Sequence, residues 1–66
     1  MENNLRVLRA IENISQEQLA EEVGVTRQTI HAVENDKYNP SLELAFKLAR
    51  FFDKTIEEIF IFKEEQ

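Results

Sequence analysis

The polar segment TRQTIHAVEN, residues 26–35, carries the side chains in this sequence that are best suited to specific hydrogen bonding. On a helix drawn at 100° per residue, Ile30 and Val33 point to one side, while Gln28 points to the other and Arg27 lies at its edge. A glutamine amide can pair with the edge of adenine, and an arginine guanidinium with that of guanine, in the major groove. Exposed arginine and glutamine are also common as simple solvated surface, so the interpretation depends on the elements that position them.

Those elements have clear local signals. Ser15 followed by Gln18 is a capping box, which predicts a helix over about 16–23. Gly24 can close that helix in the left-handed conformation, and Thr26 can cap the next one. Only about three residues then separate the two helices, a spacing typical of a helix-turn-helix.

Three further helices complete a mostly α chain. Apolar residues near 5–11 predict a first helix, Ser41 can cap a fourth, and the capping box of Thr55 and Glu58 begins a fifth over about 56–60. The apolar positions expected to face a core are Leu5, Leu8, Ile11, Leu19, Ala20, Val23, Ile30, Val33, Leu44, Ala45, Leu48, Ala49, Phe52, Ile56, Ile59 and Phe60.

The C-terminal run of Ile59, Phe60, Ile61 and Phe62 is apolar and favours β structure. A chain of this size can hardly cover all four side chains alone. One interpretation is a short strand that pairs with the N-terminal residues and contributes a dimer interface within about 56–63; the other is plain core.

Composition excludes several classes of site. At 66 residues the chain has room for one domain, which we place at 1–66. With no cysteine and a single histidine it lacks the ligands of a thiolate or histidine-rich metal site. Neither a nucleophile arrangement nor an acid/base pair stands out, so we expect neither an enzyme nor a cofactor, and no small-molecule ligand is evident.

Without a long apolar run or a signal-like N-terminus, the expected location is cytoplasmic, away from the membrane.

The net charge of -5 argues against a nucleic-acid partner unless the acidic residues are segregated. Residues 51–66 alone carry -3 of that charge and residues 1–50 carry -2. We therefore expect much of the acidity to sit at the C-terminal end, away from a bound polyanion.

The segment SQEQLAEEVGVTRQTIHAVENDKYNPS, residues 15–41, resembles the helix-turn-helix of Cro and phage-repressor-type regulators, the XRE family. The positions that carry the resemblance are Gln16, Leu19, Ala20, Gly24, Val25, Ile30, Glu34, Asn35, Pro40 and Ser41. It extends to Leu8 and Arg9 upstream and to the last two helices. It implies a five-helix, lambda-repressor-like DNA-binding domain whose helix-turn-helix spans about 16–35.

The resemblance also implies roles for individual residues. Base contacts would come mainly from Arg27 and Gln28, with help from Thr29 and His31. Phosphate contacts would come from Gln16, Asn35, Lys37, Tyr38 and Asn39. A lone histidine such as His31 is usually just an exposed polar residue, and Tyr38 is equally typical of loop packing. Arg9 and Glu34 match a pair that joins the first and third helices in the family, and many members have glycine where this chain has Asp36.

The resemblance implies a sequence-specific transcriptional regulator that binds double-stranded DNA, and we expect it to be a repressor. Because one helix-turn-helix reads few bases, we expect a two-fold homodimer on a palindromic operator. The alternative is an antitoxin-like or other protein-interaction module, whose C-terminal patch would bind a partner protein.

Overall fold

The computed structural model describes residues 1–64; the last two residues of the predicted domain lie outside that range. In chain order its elements are β1 (Glu2–Asn3), α1 (Leu5–Glu12), α2 (Gln16–Val23), α3 (Arg27–Glu34), α4 (Leu42–Phe52), α5 (Ile56–Ile59) and β2 (Phe60–Ile61). This confirms the predicted mostly α fold of five helices with a strand pair formed by the two ends of the chain. None of the helices described is long and apolar enough to cross a lipid bilayer.

Short polar side chains begin the helices where the sequence predicted. The Ser15 hydroxyl accepts the backbone N–H of Gln18 at 3.0 Å, and the Gln18 amide oxygen accepts that of Ser15 at 2.8 Å. Thr55 and Glu58 form the same reciprocal box at the start of α5. Ser41 accepts the N–H of Leu44 at 3.1 Å at the start of α4. Since each cap satisfies backbone N–H groups that lack an intrahelical partner, these residues determine where the helices start.

The hydrophobic core lies where the helices converge. Its α2 layer packs against both α3 and α4, and α4 packs against α5. The buried residues are Leu5, Leu19, Ala20, Val23, Ile30, Val33, Leu44, Ala45, Leu48, Ala49, Phe52, Ile59 and Phe60. Every inward position predicted on α2, α3 and α4 is among them. Leu8 and Ile56 are partly buried against the edge of this core.

The inward position predicted for Ile11 is wrong, because its side chain is 70 % exposed. Leu5, Leu8 and Ile11 are spaced by three, and a helix advances about 100° per residue. Each step of three therefore falls about 60° short of a full turn, and Ile11 lies about 120° away from Leu5. Burial accordingly decreases along the series, from complete at Leu5 to partial at Leu8.

The two strands join the ends of the chain. Glu2 lies opposite Ile61 and Asn3 opposite Phe60 in an antiparallel pair. Just beyond it, the backbone N–H of Asn4 donates to the Ile59 carbonyl at 2.8 Å. Side chains alternate between the faces of a strand, so Phe60 is buried while Ile61 is exposed.

Candidate nucleic-acid interface

A turn of three residues, 24–26, sets α3 against α2. Gly24 adopts the left-handed conformation at φ 75° and its N–H donates to the Ala20 carbonyl, which ends α2. Thr26 then accepts the backbone N–H of Thr29 at 3.1 Å and caps α3. The two threonine hydroxyls lie 3.0 Å apart, so Thr29, one of the four predicted base-contacting residues, already serves the cap.

The outward side of α3 presents polar side chains from a well-anchored helix. Ile30 and Val33 are 0 % and 1 % exposed and attach the helix to the core. Arg27, Gln28 and His31 are exposed and together line a surface depression. No carboxylate lines that depression among the residues described. The first five residues of α3 therefore offer a guanidinium, an amide and an imidazole on a single accessible face.

Glu34, at the end of α3, ties three helices together. Its side chain is fully buried, and its carboxylate accepts two hydrogen bonds from the Arg9 guanidinium, one of them at 3.1 Å. Arg9, from α1, also donates to the Ile14 carbonyl at 3.0 Å. Gln16, the first residue of α2, donates to the same carboxylate at 3.1 Å. The orientation of α3 is thus held by charged hydrogen bonds as well as by apolar packing.

These contacts decide the ionisation of Glu34. Burial alone would raise the pKa of its carboxyl, but the hydrogen bonds from Arg9 and Gln16, with the charges of Arg9 and Arg6, lower that pKa below its ordinary value. The hydrogen bond to Glu34 in turn raises the pKa of Arg9. Both groups are therefore charged in the folded protein near neutral pH.

A carboxyl with a lowered pKa in the folded state stabilises the protein above its unfolded pKa. We expect the contribution of Glu34 to be fully present above about pH 4.5 and to be lost as the pH falls through the lower folded value. Urea unfolding between pH 7 and pH 2 measures this. In Glu34→Gln the acid dependence should be shallower; an unchanged dependence would contradict the assignment.

Three predicted contact residues converge beside Glu34. The Gln16 amide nitrogen lies 3.4 Å from Nδ1 of His31. The amide of Asn35, the residue after α3, donates to the His31 carbonyl at 2.8 Å. The side-chain oxygen of Asn35 accepts a hydrogen bond from Arg6 at 3.2 Å. Residues from α1, from the start of α2 and from the end of α3 thus meet in one polar cluster.

The loop after α3 is held by the N-terminal segment. Asp36 has φ 60°, a left-handed conformation that accounts for the glycine found there in many members of the resembling family. Asn3 donates to the Val33 carbonyl at 2.8 Å and lies 3.4 Å from a carboxylate oxygen of Asp36. The three loop residues predicted to contact phosphate are all exposed: Lys37, Tyr38 and Asn39.

The residues predicted for a dimer interface divide into two pairs. Ile59 and Phe60 are 0 % and 6 % exposed, because the end of α5 and the inner face of β2 both pack on the core. Ile61 and Phe62 are 40 % and 73 % exposed. Ile59 and Phe60 are therefore core residues of the protomer and are not available to a partner. Of the four residues predicted for a dimer interface, only Ile61 and Phe62 are exposed.

Two contributors were missed by the sequence analysis. Arg6 precedes Arg9 by three residues and so lies on a neighbouring part of the same helix face, a spacing that could have drawn attention to it. Asn3 has no such local signal, because its partners Val33 and Asp36 are 30 and 33 residues away.

Comparison with known proteins agrees with this geometry. A helix-turn-helix family model matches residues 5–59. An uncharacterized HTH-type transcriptional regulator of Methanocaldococcus jannaschii is 53% identical over 66 residues, covering 100% of both chains. One from Bacillus subtilis is 48% identical over 65 residues, 98% of each chain. The HTH-type transcriptional activator BcrR of Enterococcus faecalis is 40% identical over 55 residues, which are 83% of this chain and 27% of that protein. The chain belongs to the XRE-type helix-turn-helix family of DNA-binding transcriptional regulators.

Proposed function

We propose that this regulator is a repressor that binds a palindromic operator as a homodimer, with α3 in the major groove. The observation that carries the proposal is the exposed N-terminal part of α3, where Arg27, Gln28 and His31 line one depression, while Ile30 and Val33 are buried in the core. In a helix-turn-helix the first residues of the second helix lie nearest the bases. Arg27 and Gln28 are therefore the base-reading residues of the proposal, with Thr29 and His31 in supporting roles.

The same docking brings two groups of side chains to the DNA backbone. One group lies in the loop after α3: Asn35, Lys37, Tyr38 and Asn39. The other is Gln16, at the N-terminus of α2, where free backbone N–H groups and the helix dipole favour an anion. The Gln16 amide nitrogen lies 3.1 Å from the Glu34 carboxylate and 3.4 Å from the His31 ring. Because the contact with His31 is the longer one, the N–H that faces His31 is the one available to a phosphate.

The distribution of charge supports a local binding face on an acidic protein. Acidic residues of α2 share a surface with Lys47 and Arg50, and those around α5 share one with Arg50 and Lys54. Glu34 is neutralised by Arg9. These acidic side chains thus lie among basic ones on surfaces other than the depression of α3, which no described carboxylate lines. Local charge rather than the net charge of the chain decides binding there.

Dimerisation is proposed through the outer side of the terminal sheet. Phe62 and Ile61 are exposed there beside Met1, which is 39 % exposed. Charged side chains border them, since Lys63 pairs with Glu2 at 2.7 Å. An apolar patch with a polar rim is typical of an association site.

Repression is the mode of action that needs no surface beyond those already described, since an occupied operator excludes other proteins from the same DNA. The Enterococcus faecalis relative is named as an activator. A reporter gene placed behind the operator separates the two modes: expression falls with a repressor and rises with an activator.

Selection from a pool of random DNA duplexes tests the proposal as a whole. A two-fold symmetric consensus, bound by two protomers in analytical ultracentrifugation, is the expected result. An asymmetric consensus bound by one protomer would overturn the dimer. No enrichment of any sequence would overturn operator binding and favour the protein-interaction module.

Phe62→Ser tests the dimer surface. If the phenyl ring is buried once from each protomer, losing about 1 kcal/mol at each of the two sites raises the dimer dissociation constant roughly 30-fold. Sedimentation equilibrium measures that constant. Phe46→Ser is the matched control, because Phe46 is 51 % exposed on α4 and lines a surface that includes no residue of the terminal sheet. An unchanged dissociation constant in Phe62→Ser would place the interface elsewhere.

A further inference from the structure

Arg6, on the first turn of α1, has more hydrogen-bonding capacity than the protein uses. Its side chain is 68 % exposed. One of its nitrogens donates to the Asn35 amide oxygen at 3.2 Å, and this is its one side-chain hydrogen bond within residues 1–64. A guanidinium has five N–H donors, so most of them remain for an external acceptor.

The neighbouring carboxylate does not use up the charge of Arg6. Arg9 pairs with both oxygens of Glu34, and Gln16 adds a third hydrogen bond. Arg6 stays at the margin, with Nε 3.9 Å from the nearest Glu34 oxygen. Two guanidinium groups against one carboxylate leave one positive charge in surplus, and that charge belongs to the exposed Arg6.

Arg6 also shapes what Asn35 can offer. A side-chain amide has one acceptor oxygen and two N–H donors. Arg6 donates to one of the two lone pairs of that oxygen at 3.2 Å, and the His31 carbonyl takes one donor at 2.8 Å. Arg6 and Asn35 together therefore present more donors than acceptors to a ligand, a surface that suits a phosphate oxygen.

We propose that Arg6 binds a phosphate of the DNA backbone and extends the contact surface from the helix-turn-helix onto α1. The inference rests on the proposed DNA binding by α3, since Arg6 reaches the duplex only if Asn35 and the following loop do. A phosphate contact positions the protein without reading sequence. Arg6 thus contributes equally to binding of operator and of unrelated duplex.

The test is the salt dependence of duplex binding by Arg6→Ala, measured by fluorescence anisotropy on the selected operator and on a scrambled duplex. Each phosphate contact contributes about 0.9 to the slope of log K against log salt, so a dimer that loses two contacts loses about 1.8. Between 50 and 200 mM salt, the affinity advantage of the wild type over Arg6→Ala should shrink about 12-fold on both duplexes. Arg6→Lys should keep the wild-type slope.

Two further variants make the result specific. Arg50→Ala removes an exposed arginine of α4 and should leave the slope unchanged. Arg6→Ala should flatten the slope equally in an Asn35→Ala background, since asparagine carries no charge. If Asn35→Ala abolishes the effect, Arg6 only orients Asn35 and the proposed phosphate contact is overturned.

The same measurements distinguish a failure of the Arg6 contact from a failure of operator binding itself. If Lys37→Ala flattens the slope and Arg6→Ala does not, the Arg6 contact is overturned while operator binding stands. If the wild type binds neither duplex, operator binding itself fails. Melting temperatures of all variants establish that the compared proteins are folded.

Discussion

Glu34→Ala is expected to destabilise the protein by about 3–5 kcal/mol, because it leaves the partly buried Arg9 guanidinium without its counter-ion. The Glu34 side chain is fully buried and that of Arg9 is 16 % exposed. The substitution also removes the acceptor of Gln16. Since 66 residues at about 0.05–0.15 kcal/mol per residue give a total stability of only about 3–10 kcal/mol, the variant should unfold at a much lower urea concentration than the wild type. Urea unfolding at pH 7 measures the effect.

A double-mutant cycle isolates the pair itself. Arg9→Ala combined with Glu34→Ala should cost less than the sum of the single changes, since neither charge is then buried alone. Glu43→Ala is the control: Glu43 pairs with Lys47 at 3.0 Å on the surface of α4, where its side chain is 79 % exposed. Such a pair contributes only about 0.3–0.5 kcal/mol. Strict additivity of Arg9 and Glu34 would show that they do not act together.

Arg27→Ala and Gln28→Ala are expected to cost the largest share of sequence discrimination. A bidentate contact with a base edge distinguishes the right from the wrong base by about 1–3 kcal/mol. In a symmetric dimer each substitution acts in both half-sites, so the preference for operator over scrambled duplex should fall by roughly 2–6 kcal/mol. Competition binding between the two duplexes measures this preference directly.

Lys37→Ala is the comparison variant for Arg27→Ala and Gln28→Ala, because it should lower affinity without changing sequence preference. A lysine that contacts phosphate carries no sequence information, so its loss should weaken binding to the two duplexes equally and reduce the salt slope by about 0.9 per contact. Arg27→Ala should instead change the ratio of the two affinities. If Lys37 and Arg27 variants behaved alike, the division between base and phosphate contacts would be wrong.

Helix ends were predictable because their causes are local. Ser15, Thr55 and Gly24 act on backbone groups within four residues of themselves, and each lies at the boundary that its chemistry predicts. Helix faces were predictable where apolar residues combine spacings of three and four, as in α4. Ile11 failed because spacings of three alone drift around the helix, and its position depended on a core formed by other segments.

The candidate site was predictable to the same extent. The periodicity of α3 separates the outward Gln28 from the buried Ile30, and both lie where the pattern predicts. The cluster formed by Gln16, His31 and Asn35 depends on how α2 crosses α3, which no local pattern specifies. Arg6 reaches Asn35 across 29 residues, so it becomes visible only once the helices are packed.

The terminal sheet bears on how this DNA-binding domain could be transplanted into other proteins. The helix-turn-helix family model matches 5–59, and both strands, β1 and β2, lie just outside that segment. A module trimmed to the matched residues would keep five helices. It would lose the buried ring of Phe60 and the amide of Asn3, which donates to the Val33 carbonyl at the end of α3. Grafts should therefore retain both strands, because without them α3 would lose the contact from Asn3 that holds the loop after it.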